Sequence, residues 1–142
     1  MHVPAYVLRG QGVELWCEYD LESDSLYSVS WYKDNEEFYR YVPRSHQTQH
    51  TYPADGIRVD MRLSDSKKVF IKNLPLIASG VYKCEISAEA PAFTSVHGES
   101  RMEIIGNYKS VILNTNSANF GRKFDIYTVN GKKCVGERGA VS

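Results

Sequence analysis

Gly80-Val81-Tyr82-Lys83-Cys84-Glu85-Ile86 alternates without a break, with Tyr82, Cys84 and Ile86 on one side and Val81, Lys83 and Glu85 on the other. A period of two is the mark of a strand with one buried face and one wet face. Gly12-Val13-Glu14-Leu15-Trp16-Cys17-Glu18 repeats the pattern, setting Val13, Leu15 and Cys17 against Glu14, Trp16 and Glu18. Between them, Leu26-Tyr27-Ser28-Val29-Ser30-Trp31-Tyr32-Lys33 places Tyr27, Val29 and Trp31 inward and Ser28, Ser30 and Tyr32 outward. Three strands thus aim a Cys, a Trp and a Tyr-x-Cys at one core.

Outward from these stretches the same pattern continues. Residues 5–8, 37–42, 57–63, 69–74 and 95–105 read as further strands, while Asp34-Asn35 and residues 64–67 turn the chain. Pro43 closes the 37–42 strand because it cannot donate to a ladder. Residues 44–56 are polar and read as a loop or a ragged edge strand. Helical periodicity is scarce. Eight or nine short, half-apolar strands have few stable solutions other than two sheets packed face to face, so the fold class is all-β.

The set Cys17, Trp31, Tyr82 and Cys84 narrows this to an immunoglobulin-like β-sandwich. In that fold cysteines from opposed sheets bridge the core, a Trp packs on the sulfurs, and a Tyr two before the second Cys anchors a corner. All four positions match, which implies a disulfide between the two sheets joining Cys17 and Cys84. The alternative is a pair of buried free thiols. The cysteines are 67 positions apart, which leaves room for the two extra strands of the variable type. In many such domains an Asp stands four residues before the corner Tyr and pairs with an Arg. Here that position is Ala78, so the pair cannot form.

The chain has 142 residues and zero formal charge. That length suits one such domain and a remainder, and the lack of basic excess argues against a nucleic-acid partner. The charge divides unevenly: residues 1–106 have 11 Lys and Arg against 15 Asp and Glu, net −4, whereas residues 107–142 have 6 against 2, net +4. The expected organisation is a variable-type domain over 1–106 and a mobile or loosely docked tail over 107–142. Within the tail, Asn130-Gly131 is flanked by alternating residues and signals a hairpin. Cys134 is left unpaired and is expected to be a free thiol. No apolar run is long enough to span a bilayer, and residues 1–4 have no export-signal character. With a disulfide, this implies an extracellular fragment whose membrane attachment, if any, lies in a missing part.

Two runs carry a closer resemblance. Arg9-Gly10-Gln11, Cys17-Glu18-Tyr19-Asp20-Leu21-Glu22 and the stretch from Leu26 through Trp31-Tyr32-Lys33-Asp34-Asn35-Glu36-Glu37-Phe38-Tyr39-Arg40-Tyr41-Val42-Pro43 form the first; Tyr82-Lys83-Cys84-Glu85-Ile86-Ser87-Ala88-Glu89-Ala90-Pro91-Ala92-Phe93 forms the second. Together they resemble the first immunoglobulin domain of the beaten path family of arthropods, over roughly residues 3–105. The resemblance implies a neuronal cell-surface or secreted protein in axon guidance and adhesion. It would bind immunoglobulin-superfamily receptors of the sidestep kind through this domain. Family members continue into a second immunoglobulin domain, which residues 107–142 do not resemble.

Variable-type domains commonly pair through the sheet made of strands G, F, C and C′, which here are the stretches 95–105, 80–86, 26–33 and 37–42. Tyr32, Lys83 and Glu85 are candidates for that face by alternation. From 37–42 the candidates are either Phe38 and Arg40 or Tyr39 and Tyr41, because parity across the preceding turn is open. Aromatics and Arg supply most interface hot spots. No enzymatic motif appears: no phosphate loop, no nucleophile elbow, no cofactor or small-molecule substrate signature. His46 and His50 have helical metal spacing, but between Pro43 and Pro53 they read as loop residues. Competing readings are an immune-type binding domain using Glu89-Ala90-Pro91-Ala92-Phe93, and a structural repeat of an intracellular protein.

Overall fold

The computed structural model describes residues 1–106 in full, and beyond them the backbones of Tyr108–Ile112, Lys123–Val129 and Lys132–Glu137. Nine strands build the first region: β1 Tyr6–Leu8, β2 Val13–Trp16, β3 Leu26–Lys33, β4 Glu36–Tyr41, β5 Gln49–Thr51, β6 Val59–Asp60, β7 Lys68–Ile71, β8 Gly80–Ala88 and β9 Ser95–Ile105. They form a six-stranded sheet in the order β1-β9-β8-β3-β4-β5 and a three-stranded sheet in the order β2-β7-β6. The core between them contains Leu15, Val69 and Ile71 from the small sheet and Val29, Trp31, Tyr82 and Ile86 from the large one.

Cys17 and Cys84 are bonded across this core with their Cα atoms 6.2 Å apart, so the expected staple is present and the free-thiol alternative is set aside. Trp31 and Cys84 are direct cross-strand neighbours, which sets the indole in the same buried layer as the bridge. At the corner, the Tyr82 hydroxyl donates to the Ala78 carbonyl at 2.5 Å, and both residues are fully buried. Ala78 ends a 3-10 turn, Leu76–Ala78, and its missing carboxylate leaves this anchor intact.

Asp34 and Asn35 have φ of 48° and 67°, the left-handed pair of a two-residue hairpin turn between β3 and β4. The turn is tied to β8: Asp34 Oδ1 accepts from the Val81 N–H at 2.9 Å, and the Asp34 N–H donates to the Val81 carbonyl at 2.8 Å. The Val81 N–H, and next the Lys33 ammonium, hold the Asp34 carboxyl below its ordinary value. The first residues switch sheets. His2 exchanges two hydrogen bonds with Trp16 on the small sheet, at 2.8 and 3.0 Å, before β1 pairs in parallel with β9 on the large one.

Three expectations need correction. The strand expected over 57–63 survives only as β6, because the Asp60 carboxylate accepts the Arg62 N–H at 3.0 Å and starts a 3-10 turn, Met61–Leu63. Such a cap competes with the ladder for the same backbone groups. The strand expected over 69–74 ends at Ile71, where the pairing with β2 and β6 also ends. Tyr27 was expected inward, but its pairing with β8 shifts between Leu26 and Ser28, and the ring is 56% exposed. An irregularity of one residue reverses the side on which a side chain emerges.

The segment after Gly106 holds a separate antiparallel sheet, β10 Tyr108–Ile112, β11 Lys123–Val129 and β12 Lys132–Glu137. Val129 pairs with Lys132. The turn residues Asn130 and Gly131 and the Cys134 side chain lie outside the described residues.

Candidate protein-recognition face

One face of the six-stranded sheet covers the core, and the register determines which residues stand on the other. On β8 the wet residues are Val81, Lys83, Glu85 and Ser87, opposite Arg101, Glu99, His97 and Ser95 of β9. On the other side, β3 sets Tyr32 beside Lys83 and Ser30 beside Glu85. Tyr32, Lys83 and Glu85 therefore lie together on the outer face, where the alternation placed them.

β4 departs from simple alternation. Trp31 pairs with Tyr39 but Tyr32 pairs with Glu37, so Phe38 is an extra residue in the ladder. At such a bulge two successive side chains can turn to the same side. Phe38 and Tyr39 are both fully buried, and the Phe38 ring meets the Tyr82 ring edge-on with centroids 6.1 Å apart. The Tyr39 hydroxyl donates to the Asp65 carbonyl at 3.2 Å and accepts from Gln49 Nε2 at 3.1 Å. Burial, with smaller additions from the charge of Asp65, pushes the Tyr39 phenol up to about 12 against the lowering effect of Gln49. Tyr41 is opposite Val29, on the core side, and packs at the margin of the core. The assignment of Phe38, Tyr39 and Tyr41 to a partner is thus corrected: all three finish the sandwich. The outward residues of β4 are Glu37 and Arg40, a pair that neither parity would have produced.

The resulting cluster is half-buried and internally paired. Arg40 Nη2 donates to Glu37 Oε2 at 2.9 Å, and its guanidinium lies 6.0 Å from the centre of the Tyr52 ring. The Glu37 hydrogen bond holds Arg40 above its ordinary value, while its buried Nε makes no hydrogen bond among the described residues. The Lys83 ammonium sits 4.5 Å from the Tyr32 ring centre. Burial first, then the Glu37 and Glu85 carboxylates, pushes the Tyr32 phenol up. On β9, Arg101 Nε donates to Glu103 Oε1 at 2.6 Å. Charges of both signs alternate over one surface, with an aromatic ring at the centre. Such a surface can meet a partner of complementary charge and exclude a mismatched one.

The β9 contribution, Arg101, Glu99 and His97, was missed in the sequence, as was Glu37. The alternation of residues 95–105 was visible, but which β9 residue lies beside Lys83 is a property of pairing. His46 is in a turn and His50 in β5 opposite Arg40, so they share no helical face. Among the described residues no three His, Cys, Asp or Glu side chains gather as a metal would require. No helix of the described residues is long and apolar enough to cross a membrane.

The fold defines an immunoglobulin domain of the variable class, with strands A′GFCC′C″ on one sheet and BED on the other. The chain belongs to the immunoglobulin V-set domain family, whose model matches residues 3–102. Among solved structures, the amphioxus IgVJ-C2 molecule aligns with a TM-score of 0.58 at 17% identity, covering 88% of this chain and 69% of that one. Murine CEACAM1b aligns with 0.56 at 19% identity, covering 89% and 64%. The first Ig-like domain of the human CD48 antigen aligns with 0.54 at 11% identity, covering 79% and 88%. At these identities the likeness is one of fold. No curated protein sequence matches the chain.

Proposed function

We propose that this V-set domain is an extracellular recognition module of neuronal adhesion and axon guidance, which binds an immunoglobulin-superfamily receptor of the sidestep kind. It does so through the outer face of the six-stranded sheet. The observation that carries the binding reading is the Tyr32–Lys83–Glu85 and Arg40–Glu37 cluster, half-exposed at the middle of a sheet whose other face packs on the core. The finer reading, axon guidance and the partner, rests on the resemblance of the Trp31-to-Pro43 and Tyr82-to-Phe93 runs to the beaten path family. The Cys17–Cys84 bond supports a place at the cell surface or outside the cell, since disulfides persist in oxidising compartments, and it argues against the intracellular repeat. The murine receptor in the solved complex with a mouse coronavirus receptor-binding domain, which aligns at a TM-score of 0.56 and 17% identity, shows that a chain of this fold can bind another protein.

The test is a binding screen of the purified chain against immunoglobulin-receptor ectodomains, with sidestep-like ones included. Binding to a sidestep-like ectodomain is expected. Lys83→Glu and Arg40→Ala should each weaken it about tenfold or more, as truncation of an Arg or aromatic anchor costs on the order of 2 kcal/mol. Their thermal unfolding should stay close to that of the parent. Binding that survives both changes removes this face, and absence of binding to every such ectodomain removes the partner class.

A further inference from the structure

The positive charge of residues 1–106 is not spread evenly. Residues 57–72 carry Arg58, Arg62, Lys67, Lys68 and Lys72 against Asp60 and Asp65, net +3, while the remainder of residues 1–106 has 6 Lys and Arg against 13 Asp and Glu, net −7. The fold puts this segment on one surface, the outer side of the three-stranded sheet, because β6, β7 and the turn between them all come from it. Val69 and Ile71 are buried and Val59 packs at the margin of the core. Alternation then turns Lys68, Phe70 and Lys72 outward along β7, and Arg58 and Asp60 outward beside them.

The pairing sets two of these cations against each other. The Lys72 N–H donates to the Arg58 carbonyl at 2.9 Å, which carries the β6–β7 register one residue further and places Arg58 directly opposite Lys72. Like charges in that relation cost stability. Both side chains are exposed, and neither makes an ion pair among the described residues. The acids of the segment are committed to turns: Asp65 Oδ1 accepts the Lys67 and Lys68 N–H groups at 2.8 and 3.1 Å, and Asp60 Oδ1 accepts the Arg62 N–H at 3.0 Å. The Arg62 Nε stays 3.8 Å from Asp60, with its side chain 92% exposed. Lys68, four residues from Lys72 on the same strand, extends the positive row by about 13 Å. What would neutralise this row follows from what the face lacks. Protein interfaces lean on aromatic or apolar anchors that become fully desolvated. None of the exposed large apolar side chains of the described residues lies on β2, β6 or β7, and the indole there, Trp16, is already covered by the Lys68 ammonium at 5.3 Å. Recognition by charge alone, from a row of flexible side chains, suits a linear polyanion.

We propose that the outer side of the three-stranded sheet binds a sulfated polysaccharide, with Arg58 and Lys72 sharing one sulfate and Lys68 and Arg62 following the chain. The choice of polysaccharide rests on the extracellular reading of the domain, whereas the place of the site rests on Arg58 and Lys72 alone. The site is on the opposite side of the sandwich from Tyr32 and Lys83, so a polysaccharide and a protein partner can be held at once.

The experiment is an NMR amide titration of the full chain with a heparin hexasaccharide, alongside its desulfated counterpart and hexaglutamate. The heparin fragment is expected to shift the amides of Arg58, Arg62, Lys68 and Lys72 saturably, and less tightly as salt is raised. The desulfated chain and hexaglutamate should bind at least several-fold more weakly. Arg58→Glu and Lys72→Glu should each weaken the heparin fragment about fivefold or more, the size of one close ion contact in water. Arg44→Glu makes the same change of charge on the β4–β5 connection and should leave binding within about twofold, since distant exposed charges are screened. Arg58→Glu should also melt no lower than the parent, because it replaces a like-charge pair with an opposite one, which separates lost binding from lost folding. Equal binding of hexaglutamate would give the face to an acidic protein, and equal binding of the desulfated chain would remove the sulfates. Equal weakening by Arg44→Glu would reduce the effect to net charge. Each of these results, or shifts that leave Arg58 and Lys72 unmoved, would overturn the proposal.

Discussion

Tyr82→Phe removes one oxygen from the centre of the fold and nothing else. The lost hydroxyl donates at 2.5 Å to the Ala78 carbonyl, and both groups are fully buried. The ring remains, so its edge-on contact with Phe38 and its place among the core residues are kept. The cost is that of leaving the buried Ala78 carbonyl without its donor, about 1–3 kcal/mol and less where the turn relaxes. A loss of roughly 2 kcal/mol follows. With a urea slope of about 1–2 kcal/mol per molar for a domain of this size, the unfolding midpoint should fall by about 1–2 M at unchanged slope. Tyr82→Ala also removes the ring and should cost about 3–5 kcal/mol. Urea unfolding followed by tryptophan fluorescence measures both. If Tyr82→Phe costs under about 0.5 kcal/mol while Tyr82→Ala costs its full amount, the corner is held by packing and the hydrogen-bond argument is wrong.

Alkaline stability tests the place given to Tyr39. Its folded phenol is held up to about 12 and its ordinary value is 10.0, so above the latter the unfolded chain releases a proton that the folded chain keeps. Stability is therefore complete below pH 10 and declines as pH rises towards 12. Thermal melts across this window should show Tyr39→Phe with a shallower decline than the parent, and an equal decline in both would show that Tyr39 is not held neutral by burial. Gly80→Ala should be destabilising by about 1–3 kcal/mol, since a Cβ there would lie 2.6 Å from Asp34 Oδ2 and disturb the clasp between the β3–β4 turn and Val81. Chemical denaturation of Gly80→Ala beside Asp34→Ala checks the cause: in the Asp34→Ala background the added methyl should cost much less.

Much of this could be read from the chain alone. The alternation of Val13, Leu15 and Cys17 and of Tyr82, Cys84 and Ile86 is a local property of each strand, and a sandwich must bury those faces. The spacing of Cys17, Trp31, Tyr82 and Cys84 then selects the immunoglobulin form, and residues 3–102 match the V-set family. Tyr32, Lys83 and Glu85 were legible as outward residues for the same reason: each sits in an unbroken alternating stretch beside a residue whose inward side is certain.

Tertiary structure alone decided the rest. Phe38 is an extra residue against β3, and that irregularity sends Phe38 and Tyr39 into the core together and leaves Glu37 and Arg40 outside. Another shift, between Leu26 and Ser28, turns the Tyr27 ring out to the surface. Neither is written in one strand's pattern, because a bulge is a relation between two strands and its cost and gain lie in how both pack. The same holds for Arg101, Glu99 and His97, whose meeting with Val81, Lys83 and Glu85 depends on register between β8 and β9. Sequence settled which residue types must face the core; pairing settled which of the remaining side chains share a surface.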